Sequence, residues 1–278
     1  NMLSHEPMSA LRKKLIKYAS IHSDTTVSLS EMVKYDLVNY FGISKDKITT
    51  IYNHCDAELL RKLSEDSPSD IKIDPNKINF VTMGRLNKQK GQWHLIRAFQ
   101  NVLEEIPNAH LYIMGEGELE QQLKNLISEL HLENSITMTG YIKNPHGLYN
   151  QCEIFVFPSL FEGLGNVLLE ALAFDMPIIS SDCEAGPREI LAPNTDLQTK
   201  ATNMELAEYG VLVPVCDGEH CNSTDPLTKQ EKCMANAMIY LHRNTEIRNA
   251  YQNKAKDRMK MFDKQLIMRE WEKVIERR

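Results

Sequence analysis

Two turns in this 278-residue chain carry residue types suited to an anionic ligand. In Gly84-Arg85-Leu86-Asn87-Lys88-Gln89-Lys90-Gly91, three cations sit between two glycines. Fixed cations at a strand end are what a diphosphate requires, and glycine lets the backbone come close to it. In Pro158 to Ala171 (P-S-L-F-E-G-L-G-N-V-L-L-E-A), Glu162 and Glu170 bracket Gly163, Leu164, Gly165, Asn166 and Val167. A helix opened by those glycines presents free N–H groups to anionic oxygens, with a carboxylate at either end. A third turn, Ser181 to Ile190 (S-D-C-E-A-G-P-R-E-I), is again built of small residues with charged flanks. Gly115-Glu116-Gly117 lacks the third glycine of a dinucleotide fingerprint. Singly, each feature has a plainer reading: Arg85 and Lys90 as solvated loop charges, Glu170 as a water-facing residue, Glu162 as a helix cap. They converge on one ligand only if a single sheet carries all of these turns.

Such a sheet is expected from the alternation of β-rich and helical runs, which marks parallel βαβ units. The predicted strands are Thr25 to Leu29, Ile48 to Tyr52, Ile78 to Met83, His110 to Met114, Ile136 to Thr139, Ile154 to Phe157, Pro177 to Ser180 and Gly210 to Val213. The clearest helix, Gln92 to Ile106, aligns Leu95, Ile96, Phe99, Val102, Leu103 and Ile106 in one apolar stripe that covers a sheet. The fold class is therefore α/β, a Rossmann-like doubly wound parallel sheet, in which ligands bind at the carboxyl ends of strands. The polar, two-proline segment 63–76 reads as a linker between residues 1–62 and a nucleotide-binding unit at 77–245. Residues 246–278 read as terminal helices.

A formal charge of -6 argues against a general nucleic-acid binder, so any polyanion must be met by a local patch. With 42% hydrophobic and 25% charged residues the chain is ordinary for a folded domain. No apolar run approaches the roughly 20 residues that span a bilayer, and the start lacks a signal-peptide core. A cytoplasmic protein, or an excised piece of one, is expected. The six cysteines form no C-x-x-C pair and read as reduced thiols, with no structural zinc at Cys216, His220, Cys221 and Cys233. The first helix, Met8 to Ala19, sets Leu11, Leu15 and Tyr18 opposite Arg12, Lys13, Lys14 and Lys17. A basic amphipathic helix can lie on anionic lipid, but sheet-covering with a solvated charged face is the preferred reading.

The ordered set Gly84-Arg85…Lys90-Gly91, Gly115-Glu116-Gly117, Gly140-Tyr141…Asn144-Pro145 and Phe157-Pro158-Ser159…Glu162-Gly163-Leu164-Gly165-Asn166…Glu170-Ala171 resembles the C-terminal half of family 4 retaining glycosyltransferases of the GT-B fold. Glu162 and Glu170 match that family's E-x7-E element, and Gly186 to Leu191 (G-P-R-E-I-L) resembles a variant among bacterial surface-polysaccharide enzymes. The resemblance runs from about Asp24 to Phe262. Ser23 to Asp56 resembles only the last βαβ of the N-terminal acceptor domain, so residues 1–62 would be a remnant, with roughly 150 residues of that domain absent. The last helix, Lys264 to Glu276, would cross back toward it.

The resemblance implies a hexosyltransferase that moves a sugar, with retention, from a nucleotide-diphosphate sugar, expected to be UDP-linked, to a saccharide or lipid-linked acceptor in bacterial polysaccharide or lipopolysaccharide biosynthesis. Arg85 and Lys90 would bind the diphosphate, with Glu162 beside the donor sugar. Amides and backbone around Gly84, Gly115 and Gly163 to Val167 would cradle the phosphates and sugar. Glu170 would chelate the ribose hydroxyls, and Tyr141 and Ile142 would flank the base. No D-x-D pair is present, so transfer is expected to be metal-independent, with the nucleotide sugar as donor and no cofactor. In such enzymes the leaving phosphate oxygen takes the acceptor's proton, and no protein nucleophile is needed. The implied setting is cytoplasmic, with peripheral contact at the inner face of the membrane as an addition. Two alternatives stay open: a non-catalytic nucleotide-sugar-binding module or a subunit whose partner chain supplies the acceptor domain, and a GT-B epimerase, which E-x7-E disfavours.

Overall fold

The computed structural model describes residues 10–66, 71 and 73–276. Each predicted β-rich run becomes a strand, within a residue or two at its ends. Strands β1 (Thr26–Ser28) and β2 (Ile48–Thr50) pair in parallel as a separate two-stranded sheet. The seven others are β3 (Ile78–Met83), β4 (Ala109–Met114), β5 (Ile136–Gly140), β6 (Ile154–Phe157), β7 (Ile178–Ser181), β8 (Glu205–Leu206) and β9 (Val211–Val213). They form one sheet in the order β5-β4-β3-β6-β7-β9-β8. All pairings are parallel except β8 with β9. Two-residue β8 was not anticipated, since so short a segment shows no alternation.

Counted from β3, the parallel strands follow the order 3-2-1-4-5-6 of a doubly wound nucleotide-binding sheet. The reversal falls between β3 and β6, so the crevice at their carboxyl ends is where a ligand is expected. Helix Gln92–Glu105 buries Leu95, Ile96, Phe99 and Val102 on one face of the sheet, beside Met234, Met238 and Leu241 of helix Lys229–Arg243. The other face is covered by Leu168, Leu169 and Leu172 of helix Asn166–Ala173 and by Ala255 and Met259 of helix Thr245–Met259. Strands buried on both faces read as continuous apolar runs, as I-F-V-F of β6 does.

Two expectations are corrected. Helix Ala10–His22 does not cover a sheet with its Leu11, Leu15 and Tyr18 side, which is 68%, 59% and 64% exposed. It turns Ile16 instead toward Leu37, Phe41, Ile43 and Ile48, because two three-residue strands offer only a small apolar surface. Met8 and Ser9, where that helix was expected to begin, lie outside the described residues. The expected linker begins as structure: residues 63–66 are the last turn of helix Ala57–Asp66, whose A-E-L-L-R-K-L run is rich in helix formers. Its residues 67–70 and 72 lie outside the described residues.

One core group carries a pH prediction. His110 is buried between Lys77, whose ammonium donates to Nδ1 (3.1 Å), and the Thr137 hydroxyl at Nε2 (2.8 Å). Burial, then the Lys77 charge, lowers its pKa to about 4. A histidine depressed below its unfolded value of about 6.5 contributes stability that is full above that value and is lost as pH falls toward 4. The melting temperature is expected to fall between pH 7 and pH 4.5, and His110→Gln should flatten that slope. An unchanged slope in His110→Gln would exclude this group as its source.

Candidate functional site

Three turns at the carboxyl ends of β3, β4 and β5 are tied together by main-chain hydrogen bonds. Gly84 N donates to Met114 O (3.0 Å), Leu86 N to Glu116 O (2.9 Å) and Gly115 N to Gly140 O (3.0 Å). Above them lies a cavity of about 620 Å³ lined by Gly84, Arg85, Gly115, Glu116, Tyr141, Ile142, His146 and Glu170, among others. That volume is in the range of small-ligand sites, about 300–1,000 Å³. Arg85 and Glu170, from different crossovers, therefore face one space at the reversal of strand order. A second concavity of about 430 Å³, beside helix Glu31–Asn39, brings together none of the predicted site residues.

Arg85 reaches into solvent, its side chain 72% exposed and its guanidinium 3.6 Å from Glu118. Its backbone is held more firmly, since the buried Gln92 amide donates to Arg85 O (3.0 Å). Lys90 does not line the cavity. Its stem passes against Gly84, and its ammonium lies 2.5 Å from Glu162 Oε1 and 5.1 Å from the Phe157 ring centre. Lys90 and Glu162 are both largely buried, at 17% and 8% side-chain exposure. The pair thus meets the cavity wall through the Lys90 stem at Gly84, its cation and anion each held by the other.

Gly165 begins helix Asn166–Ala173. The first amides of any α-helix have no acceptor within it, so the Gly163 to Val167 turn offers main-chain donors. Leu164 is buried, and Gly163 lies against Leu29. Asn166 is exposed, and its Oδ1 accepts from Asn53 Nδ2 (2.8 Å). One helical turn on, Glu170 borders the cavity.

Tyr141 is exposed, and its backbone N donates to Glu116 Oε1 (3.3 Å). Sequence reasoning missed Glu116 and His146 as cavity residues. His146 stacks on Phe174 (5.6 Å, 13°), and its Nε2 lies 3.6 Å from Glu170 Oε2. It directly follows Asn144-Pro145, so the motif pointed one residue short. Two thiols near the carboxylates are chemically quiet. Burial, then Glu170, pushes Cys55 up to about 12, and burial, then Glu162, pushes Cys183 up to about 12. A protonated thiol is a poor nucleophile.

Comparison with known proteins gives this geometry a context. The family described as glycosyl transferases group 1 matches residues 63–258. The chain is 36% identical over 265 residues to an uncharacterized glycosyltransferase of Methanocaldococcus jannaschii, covering 94% of this chain and 65% of that protein. It is 32% identical over 262 residues to the N-acetylgalactosamine-N,N'-diacetylbacillosaminyl-diphospho-undecaprenol 4-alpha-N-acetylgalactosaminyltransferase of Campylobacter jejuni, covering 94% of this chain and 62% of that protein. The chain thus spans somewhat less than two thirds of these relatives. Among solved structures, Anabaena HepE in complex with UDP and glucose superposes with a TM-score of 0.76 at 18% identity, covering 99% of this chain and 69% of that one. The S. aureus TarM G117R mutant, whose complex includes UDP, superposes at 0.75 and 18% identity, covering 98% and 49%. At this identity the likeness concerns the fold alone, which is that of GT-B glycosyltransferases.

Proposed function

The chain belongs to the glycosyl transferases group 1 family, and from that premise we propose that it is the donor-binding part of a retaining, metal-independent hexosyltransferase. Its donor is a nucleotide-diphosphate sugar, UDP-linked, and its acceptor a saccharide or lipid-linked saccharide of a surface polysaccharide. The observation that carries this reading is the single cavity shared by Arg85 and Glu170 at the point where strand order reverses.

The nucleoside lies between Tyr141 and Ile142 at one end and Glu170 at the other, whose two oxygens match two ribose hydroxyls. Arg85 and Lys90, with the amides of the Gly163 to Val167 turn, take the charge that grows on the departing diphosphate. Glu162, locked to Lys90, is oriented toward the sugar and offsets positive character at its anomeric carbon. Lys90 supplies cation and Glu162 anion from one rigid pair, so neither must reorganise during transfer. The departing phosphate oxygen takes the acceptor's proton. Metal independence rests on this cation set together with the lack of a D-x-D pair in the sequence. Acceptor binding falls mainly to sequence beyond the part these relatives share with the chain, which spans less than two thirds of their length. Among the described residues no helix is long and apolar enough to cross a membrane.

Calorimetric titration with UDP and GDP tests the reading. UDP is expected to release heat, and Glu170→Ala to weaken binding by roughly 10- to 100-fold, as for loss of hydrogen bonds to a charged group. Absence of binding by any nucleotide or nucleotide sugar would overturn it.

A further inference from the structure

The G-P-R-E-I-L motif has no part in the nucleotide cavity, yet its glutamate is among the most committed carboxylates of the molecule. Glu189 is 2% exposed and lies on the short helix Pro187–Leu191, which packs on the main sheet. Its Oε2 accepts from Glu31 N (2.7 Å) and from the Tyr52 hydroxyl (3.0 Å), and its Oε1 accepts from Met32 N (3.0 Å). All three donors belong to the β1–β2 unit. Glu31 and Met32 begin helix Glu31–Asn39, so the carboxylate also meets the positive end of that helix. From behind, Arg258 donates to Glu189 O (2.6 Å) and Ile190 O (2.8 Å) and lies over the Phe262 ring, which meets Tyr52 edge-on.

The other end of the same segment touches the donor-side turn. Glu162 N donates to Glu184 O (3.3 Å), and Phe161 and Glu184 form an isolated parallel bridge. Gly186 lies so close to the Leu164 carbonyl that a Cβ there would come within 1.9 Å of its oxygen. Residues 184–189 are therefore a short rigid strap, seated at one end on the Glu162 to Gly165 turn and at the other on the first turn of helix Glu31–Asn39.

We propose that Glu189 is a positioning residue: a latch that holds the β1–β2 unit against the nucleotide-sugar unit and couples its seating to occupancy of the Gly163 to Val167 turn. The coupling rests on the donor reading given above; the latch itself does not. Only a carboxylate satisfies the geometry, because an amide in its place turns an NH2 group toward one of three converging donors.

Hydrogen exchange of the Glu31 and Met32 amides, in the full chain with and without UDP, reads both parts. In the wild type UDP is expected to slow exchange at these two amides. In Glu189→Gln, which keeps the side chain's volume, their ligand-free exchange should quicken by on the order of tenfold or more, and the UDP response should vanish. Amides of β3 and β4 serve as the internal control for intact folding. Equal ligand-free exchange at Glu31 and Met32 in both proteins would overturn the latch. UDP heat without slower exchange at these amides would overturn the coupling alone. An absence of UDP heat would strike the donor reading and leave the ligand-free comparison to decide the latch.

Discussion

Gly186→Ala is expected to destabilise the chain by about 3–5 kcal/mol, the sum of a backbone overlap and a left-handed strain penalty. Gly186 has φ +98, and an added Cβ would sit 1.9 Å from Leu164 O and 2.4 Å from its carbonyl carbon. Neither atom can rotate away, because Leu164 is buried in the turn that opens helix Asn166–Ala173. Relief requires moving that turn or the strap that carries Glu189. A useful contrast is Gly218→Ala, also at positive φ (+75), where the obstruction at 2.7 Å is only the end of the Leu160 side chain. Rotamer change can relieve that contact, so about 1–2 kcal/mol is expected there. Urea unfolding of both variants decides the matter, and equal midpoints would show that the Leu164 contact carries no special weight. UDP binding should weaken in Gly186→Ala alone, because only that change shifts the Gly163 to Val167 turn.

Lys90→Met is expected to slow single-turnover release of UDP from the UDP-sugar by about 10²-fold or more, as for loss of one preorganised charge stabiliser. Methionine keeps an apolar stem against Gly84 and Phe157 while removing the ammonium. It also leaves Glu162 largely buried without its cation, a loss that by itself costs stability. The double variant Lys90→Met, Glu162→Gln removes that orphan charge. Its stability should recover while its rate stays well below that of Glu162→Gln alone, if Lys90 acts on the diphosphate. A rate equal to that of Glu162→Gln alone would mean that Lys90 serves only to neutralise Glu162. Arg85→Ala is expected to slow release to a similar degree with little effect on stability, because the Arg85 side chain is largely solvated.

The motif residues identified from the sequence divide in space into three groups, one of which, the Gly163 to Val167 turn with its buried Leu164, does not line the cavity. Arg85, Gly84, Gly115, Tyr141, Ile142 and Glu170 line the cavity. Lys90 and Glu162 stand beside it as an ion pair. Spacing along the chain placed all of them after strands, because a parallel sheet sends every such turn to the same edge. It did not reveal that Lys90 and Glu162 neutralise each other, since a pairing across 72 residues leaves no local pattern. His146 escaped notice for a related reason: its nearness to Glu170 arises where the β5 and β6 crossovers meet, not from any repeat within either.

The sequence by itself determined the parallel α/β architecture, the position of nearly every strand and the turns that bear charge and glycine. These follow from periodicity and composition, which act over ten residues or so. Tertiary structure alone decided which apolar face of helix Ala10–His22 is buried and that Glu189 joins the two sheets. Each depends on which surfaces come to lie opposite one another. A carboxylate that caps a helix 158 residues away in the chain is indistinguishable, in sequence, from one that faces water.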